Sequence, residues 1–222
     1  MLDIKNFIEK MKIKKNGFTL VELLIVIALI AILSVAVLAT INPIEQSNKA
    51  RDAKFKNDAA EVLAAYERYY TSLAAYPWMN VATNPDASID TNIVYASDNA
   101  HFGVVPDAAS GDTNGLLIAS SELKSSFMGK EPFTGTVTEE NRMYVYHNGT
   151  TNDNYVCFHP KAAANRVLVG GTSTSLKCID PDTATINNYG DNNCAIPASG
   201  WDSTGVSATN ANLLCVPEGV IQ

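Results

Sequence analysis

The chain changes its hydrophobic period twice, and each change marks a different kind of element. From Phe18 to Ile41 the positions are almost continuously apolar, with one carboxylate, Glu22, inside the run. At ~1.5 Å per residue such a helix covers roughly 36 Å, enough for a hydrocarbon core of about 30 Å. Residues 42–76 then turn amphipathic. Phe55, Ala59, Val62, Leu63, Tyr66, Tyr69, Tyr70 and Leu73 recur three and four apart, while Lys54, Lys56, Asp58, Glu61 and Arg68 fall mostly on other faces. That spacing assigns the aromatic residues to core packing. Glu45 with Lys49, and Asp52 with Lys56, are acid-before-base pairs four apart, worth a few tenths of a kcal/mol each. Pro43 lacks an amide hydrogen and crowds the carbonyl of residue 39, so a break around Ala39–Pro43 on a continuous helix axis is expected. The alternative is a second helix capped by Asn42, with Pro43 at its first position. The helix should end near Ala75, because the residue before Pro77 is pushed out of helical geometry.

Residues 77–140 are rich in Asn, Asp, Ser, Thr and Ala as far as about Thr113 and read as an exposed loop, with a short helix over Ser121–Met128 stopped by Gly129. Beyond them the period becomes two. Met143–His147 and Tyr155–His159 flank a loop that starts Asn-Gly, a hairpin signal, and "RVLVGGTSTSLKCID" suggests two more strands across Gly170 and Gly171. The predicted fold is α+β: a long N-terminal helix, membrane-spanning then amphipathic, packed on a small antiparallel sheet of three to five strands within residues 141–222.

Charge adds direction to this plan. The net charge is −7, but residues 1–17 carry Lys5, Lys10, Lys12, Lys14 and Lys15 against Asp3 and Glu9, leaving −10 for the remainder. A basic leader before an apolar run stays on the cytoplasmic side and sends the distal part of the chain outward. Beyond residue 76 six basic residues face fifteen acidic ones, so direct nucleic-acid binding is not expected. Two processing sites compete. A conventional signal peptidase would cut after Ala39, releasing a soluble binding protein or enzyme; a cut between Gly17 and Phe18 would retain the helix. The apolar run exceeds the roughly 7 to 15 residues of an ordinary signal, which favours retention.

"KNGFTLVELLIVIALIAIL" resembles the class III signal of type IV pilins and their relatives, the pseudopilins of type II secretion and the competence pilins. The resemblance implies that residues 1–17 are a leader removed by a prepilin peptidase after Gly17. It also implies that the new N-terminal Phe18 is methylated, and that Thr19 and Glu22 serve assembly. Residues 18–41 would first sit in membrane lipid and later in a filament core, and residues 42–76 would form the stem. Implied partners are identical subunits in a helical filament, the prepilin peptidase and methyltransferase, an assembly ATPase and a membrane platform protein. The precursor would lie in the cytoplasmic membrane with its ectodomain outside, and the assembled form would be an extracellular pilus. A pseudopilin of a secretion or DNA-uptake machine is the alternative within the same family. Glu22 has its own physical argument. A first-turn anion is stabilised by ~0.3 to 1 kcal/mol, whereas a midplane charge costs roughly 2.5 to 3.5 kcal/mol. Phe18 and Glu22, four apart on one helix face, would put the carboxylate one turn from a new ammonium. In the filament, the resemblance implies, Glu22 pairs with the charged N-terminus of the preceding subunit and so marks register.

Cys157, Cys178, Cys194 and Cys215 all lie in the last third, an even count that in an exported chain implies disulfides with three connectivities. Sequential pairing, Cys157 with Cys178 and Cys194 with Cys215, is expected because each pair would flank one compact excursion. Without a C-x-x-C pair or a histidine at ligand spacing, zinc is disfavoured. No cofactor is expected; Asp180, Asp182, Asp191, Asn192 and Asn193 offer oxygen ligands for calcium but read better as solvated turns. His101, His147 and His159 are scattered, and no nucleophile motif or phosphate loop argues for catalysis.

Overall fold

Pro43 opens a helix instead of interrupting one. The computed structural model describes residues 17–40, 42–82, 85–86, 88–134, 137–166 and 175–218, in two compact units, Met1–Pro43 and Ile44–Gln222. The leader lysines, Ile41, Gly170 and Gly171 lie outside the described residues. Helix α1 runs Leu20–Thr40 and α2 runs Pro43–Leu73, so the proline sits at a first helical position, where a missing amide hydrogen costs nothing. In the first unit, the large apolar side chains of α1 are exposed on every face. Leu20–Leu38 has a mean hydropathy of 3.0 and is long and apolar enough to cross a membrane. Its polar side chains bond to their own backbone: Ser34 Oγ donates to the Ile30 carbonyl at 2.7 Å, and Thr40 Oγ1 to that of Val37 at 2.8 Å.

In the second unit α2 buries Phe55, Ala59, Val62, Ala65, Tyr66 and Tyr69, with Leu63 and Tyr70 packed at the margin. Leu73 is 54% exposed because the helix ends there. Ala74 comes next with φ 51°, a left-handed stop one residue before the expected end. The stripe meets Met143, Val145, Val156, Phe158 and Leu214 on one face of a six-stranded sheet, with the Phe55 and Phe158 rings 5.5 Å apart.

The strands are β1 (Ile93–Ala96), β2 (Met143–Asn148), β3 (Asp153–Phe158), β4 (Leu176–Asp180), β5 (Thr185–Asn188) and β6 (Leu213–Val216), ordered β1-β2-β3-β6-β4-β5 with every pairing antiparallel. Six strands exceed the predicted three to five, partly because β1 lies in the segment read as loop. That segment is also not a surface excursion. Trp78, Phe102, Val104, Leu117, Phe127 and Phe133 are buried against α2, anchors too widely spaced to show a period. The Tyr66 hydroxyl donates to the Phe102 carbonyl at 2.7 Å, and Arg68 Nε reaches Glu122 at 2.9 Å. The helix expected over Ser121–Met128 is instead a short α3 (Leu116–Ala119) and a 3-10 turn, Ser125–Gly129, separated by Ser121 at φ 64°. The Asn-Gly hairpin joins β2 and β3, and a Cβ at Gly149 would lie 2.2 Å from the Asp90 carbonyl carbon, so only glycine fits.

The disulfides overturn sequential pairing. Cys157 is joined to Cys215 and Cys178 to Cys194, with Cα separations of 4.0 and 5.7 Å. The cause is strand order: β6 lies between β3 and β4, so Cys215 is the residue directly opposite Cys157. Cys178 on β4 then takes Cys194, which lies just past the β5 turn.

Candidate processing and assembly site

Gly17, Phe18, Thr19 and Glu22 are grouped at the start of α1. A Cβ built at Gly17 would meet nothing within 4 Å, and the residue does not adopt a left-handed backbone. Nothing inside the described chain therefore requires glycine there. Phe18 precedes the helix and is 82% exposed. Its place corrects one expectation: with α1 beginning at Leu20, Phe18 and Glu22 do not share a helix face.

Glu22 is instead the third residue of a capping box. Glu22 Oε2 accepts from the Thr19 amide at 3.0 Å and the Thr19 hydroxyl at 2.9 Å, while the Glu22 amide donates to Thr19 Oγ1 at 3.1 Å. Thr-x-x-Glu before an apolar run is itself the sequence signature of this motif, and periodicity reasoning passed over it. The box satisfies amides that would otherwise be left open at the head of an apolar helix. Oε1 carries no hydrogen bond among the described residues, so the carboxylate keeps one oxygen for another donor.

The head of the chain is thus a capped apolar helix, long and apolar enough to cross a membrane, preceded by an exposed Gly17-Phe18. Residues 12–38 match the family model of the prokaryotic N-terminal methylation motif, the class III prepilin signal of type IV pilins and pseudopilins. Such a motif implies processing by a prepilin peptidase. No curated protein and no solved structure matches the chain.

The second unit carries charged groups whose partners differ from those expected. Asp52, 1% exposed, accepts from the backbone amides of Lys161 and Ala162, both at 2.9 Å, and from Asn165 Nδ2 at 2.7 Å. About two turns earlier on the helix, Glu45 accepts from the Ala163 amide at 3.2 Å. The two carboxylates thus hold the start of the short helix α4 (Ala163–Arg166) against α2. Lys56, the partner expected for Asp52, instead reaches Glu218 at 2.8 Å. Asp58, read as lying off the apolar face, is buried and paired with Lys130 at 2.7 Å. Arg51 stacks over Phe55 and donates to the carbonyls of His159 at 3.2 Å and Glu140 at 2.6 Å. Burial lowers its pKa, partly offset by Glu131 and Asp52.

The other candidate residues do not converge. His147 is a core residue, its ring between Asn154 Oδ1 at 2.9 Å and the Ile89 carbonyl at 2.7 Å. His101 stacks on Tyr95. His159 is buried, with Nδ1 on the Asn212 carbonyl at 3.2 Å, and burial pushes its pKa down to about 4. Asp180 is tied up in its own turn, accepting from Thr183 Oγ1 at 2.7 Å and the Asp182 amide at 2.9 Å, bonds that lower its pKa. Among the described residues no three His, Cys, Asp or Glu side chains are grouped to hold a metal ion.

Proposed function

We propose that the chain is the structural subunit of an extracellular type IV pilus-like filament, stored in the cytoplasmic membrane through α1 and released into the filament after cleavage between Gly17 and Phe18. The observation that carries this reading is the methylation motif lying on a helix whose large apolar side chains are exposed all round. Such a surface is matched either by lipid or by like helices in a filament core, so the helix can exchange one for the other. The chemistry is assembly rather than turnover. Cleavage creates an ammonium on Phe18, and the open oxygen of Glu22 accepts the ammonium of the preceding subunit, which rewards a single axial register. A prepilin peptidase and methyltransferase, an assembly ATPase and a platform protein are the partners this route requires. The two disulfides suit folding in an oxidising compartment, which a surface pilus and a periplasmic pseudopilus share; a pseudopilus is the second form of the same proposal.

Mass spectrometry of the mature N-terminus tests the reading. A methylated Phe18 supports it, and a chain beginning at Thr40 would end it. Electron microscopy of cells with and without the gene then tests for surface filaments.

A further inference from the structure

Lysine is an unusual residue to bury in the middle of a sheet face. Lys177 lies on β4, is 1% exposed, and alternates with Leu176 and Cys178, so it shares a face with Ile179 and with its cross-strand partner Leu213. An ammonium at such a place costs several kcal/mol, and an amine does not. Directly opposite on the edge strand β5 stands Asn188. Lys177 Nζ donates to Asn188 Oδ1 at 2.6 Å, which holds the nitrogen beside the side-chain amide it would attack. The other end of the same amide is held as well: Asn188 Nδ2 donates to Asp191 Oδ2 at 3.2 Å.

We propose that Lys177 and Asn188 form an intramolecular isopeptide bond, with the Asp191 carboxylate steering the amide and moving the proton. The neutral Nζ attacks Cγ of Asn188; the Nζ–Cγ bond forms and the Cγ–Nδ2 bond breaks. Nδ2 leaves as ammonia, carrying the proton that Nζ gives up and Asp191 relays. No oxidant, reductant or cofactor enters the balance. Burial raises the fraction of neutral amine, pushing the Lys177 ammonium down to about 8 against the opposing pull of Asp191. The turn that presents Asp191 is fixed from both sides. The Asp191 amide donates to the Asn188 carbonyl at 3.0 Å, and the Cys194 amide to the Asp191 carbonyl at 2.6 Å. Cys194 is itself bonded to Cys178, the neighbour of Lys177. Asn192 and Asn193 between them adopt φ of 43° and 64°, two consecutive left-handed residues that hold the loop tight over the hairpin end. Asp191 is exposed, which gives ammonia a way out to water.

The sequence makes the test simple, because no Lys or Arg comes after Lys177. The full chain is purified, reduced, alkylated and digested with trypsin. An amide-bonded Lys177 resists cleavage, so residues 167–222 are expected as one peptide lighter by the mass of one ammonia. Cleavage after Lys177 in all molecules would overturn the proposal. A succinimide at Asn148-Gly149 loses the same mass from a different peptide and leaves Lys177 cleavable, so it counts against the bond. Asn188→Ser should restore cleavage at Lys177. Asp191→Ala removes only an exposed side chain and is expected to slow bond formation at least tenfold in a time course on newly made chain; an unchanged rate would remove Asp191 from the reaction.

Discussion

Replacing Asp52 by alanine should destabilise the second unit, Ile44–Gln222, more than any exposed charge change. The carboxylate accepts three hydrogen bonds from the start of α4 and the residues before it. Ala162 is buried, so its amide would be left without water or partner, at about 1 to 3 kcal/mol. The Lys161 amide and the Asn165 amide are in half-buried residues and can recover some solvent. Their charge-assisted bonds add about 1 kcal/mol each. The expected loss is therefore about 3 to 5 kcal/mol. Asparagine keeps one acceptor oxygen and should lose about half as much. In urea unfolding of the full chain in detergent micelles, followed through buried Trp78, a slope near 2 kcal/mol per molar would shift the midpoint of the alanine variant by about 2 M. Lys56→Ala is the control. If Asp52 mattered through the pair four residues on, the two variants would behave alike. The structure instead gives Lys56 an exposed partner, Glu218, worth about 0 to 1 kcal/mol. A shift below about 0.3 M for Asp52→Ala would refute the capping role.

His159 should make the second unit acid-sensitive. Its folded pKa of about 4 lies below the unfolded value of 6.5, so the unfolded chain takes up the proton first as pH falls. The difference between parent and His159→Asn should grow from pH 6.5 towards pH 4, up to about 3 kcal/mol, and parallel stability curves would contradict the buried neutral ring. Glu22→Gln keeps a side chain able to complete the capping box but removes the charge. Leader cleavage should continue while filament yield drops at least tenfold; normal filaments would sink the register role of Glu22. A non-reducing peptide map should link Cys157 to Cys215 and Cys178 to Cys194. Replacing Cys178 and Cys194 together by serine should lower stability by about 3 kcal/mol in the chain-entropy model, read from the same urea assay.

The parts of this molecule visible in sequence are those whose signal is local. The apolar run of α1, the stripe of α2 and the Asn-Gly hairpin each declare themselves within a dozen residues, and Gly17-Phe18 with Glu22 is a contiguous motif. The features that escaped depend on partners far along the chain. Asp52 looked like half of a surface pair because its acceptor role is set by amides more than a hundred residues away. Trp78 and Phe102 looked like loop residues because each buries alone, without a period to expose it. The Thr19–Glu22 box is the exception: its signal was local and legible, but the cost of a charge in lipid drew attention from the cap.

Strand β6 gives the order of synthesis a consequence. Until Leu213–Val216 is in place, no strand pairing among the described residues joins β1-β2-β3 to the β4-β5 hairpin. On the proposed export route the cysteines reach the oxidising side in the order 157, 178, 194, 215, so an oxidase working on the emerging chain meets Cys157 and Cys178 first, which are not partners. The native fold needs Cys157 to stay reduced, or to be released again, until the chain has advanced 58 residues to Cys215. On the route proposed above, the yield of correctly paired chain should therefore rise with disulfide shuffling activity in the compartment where it folds.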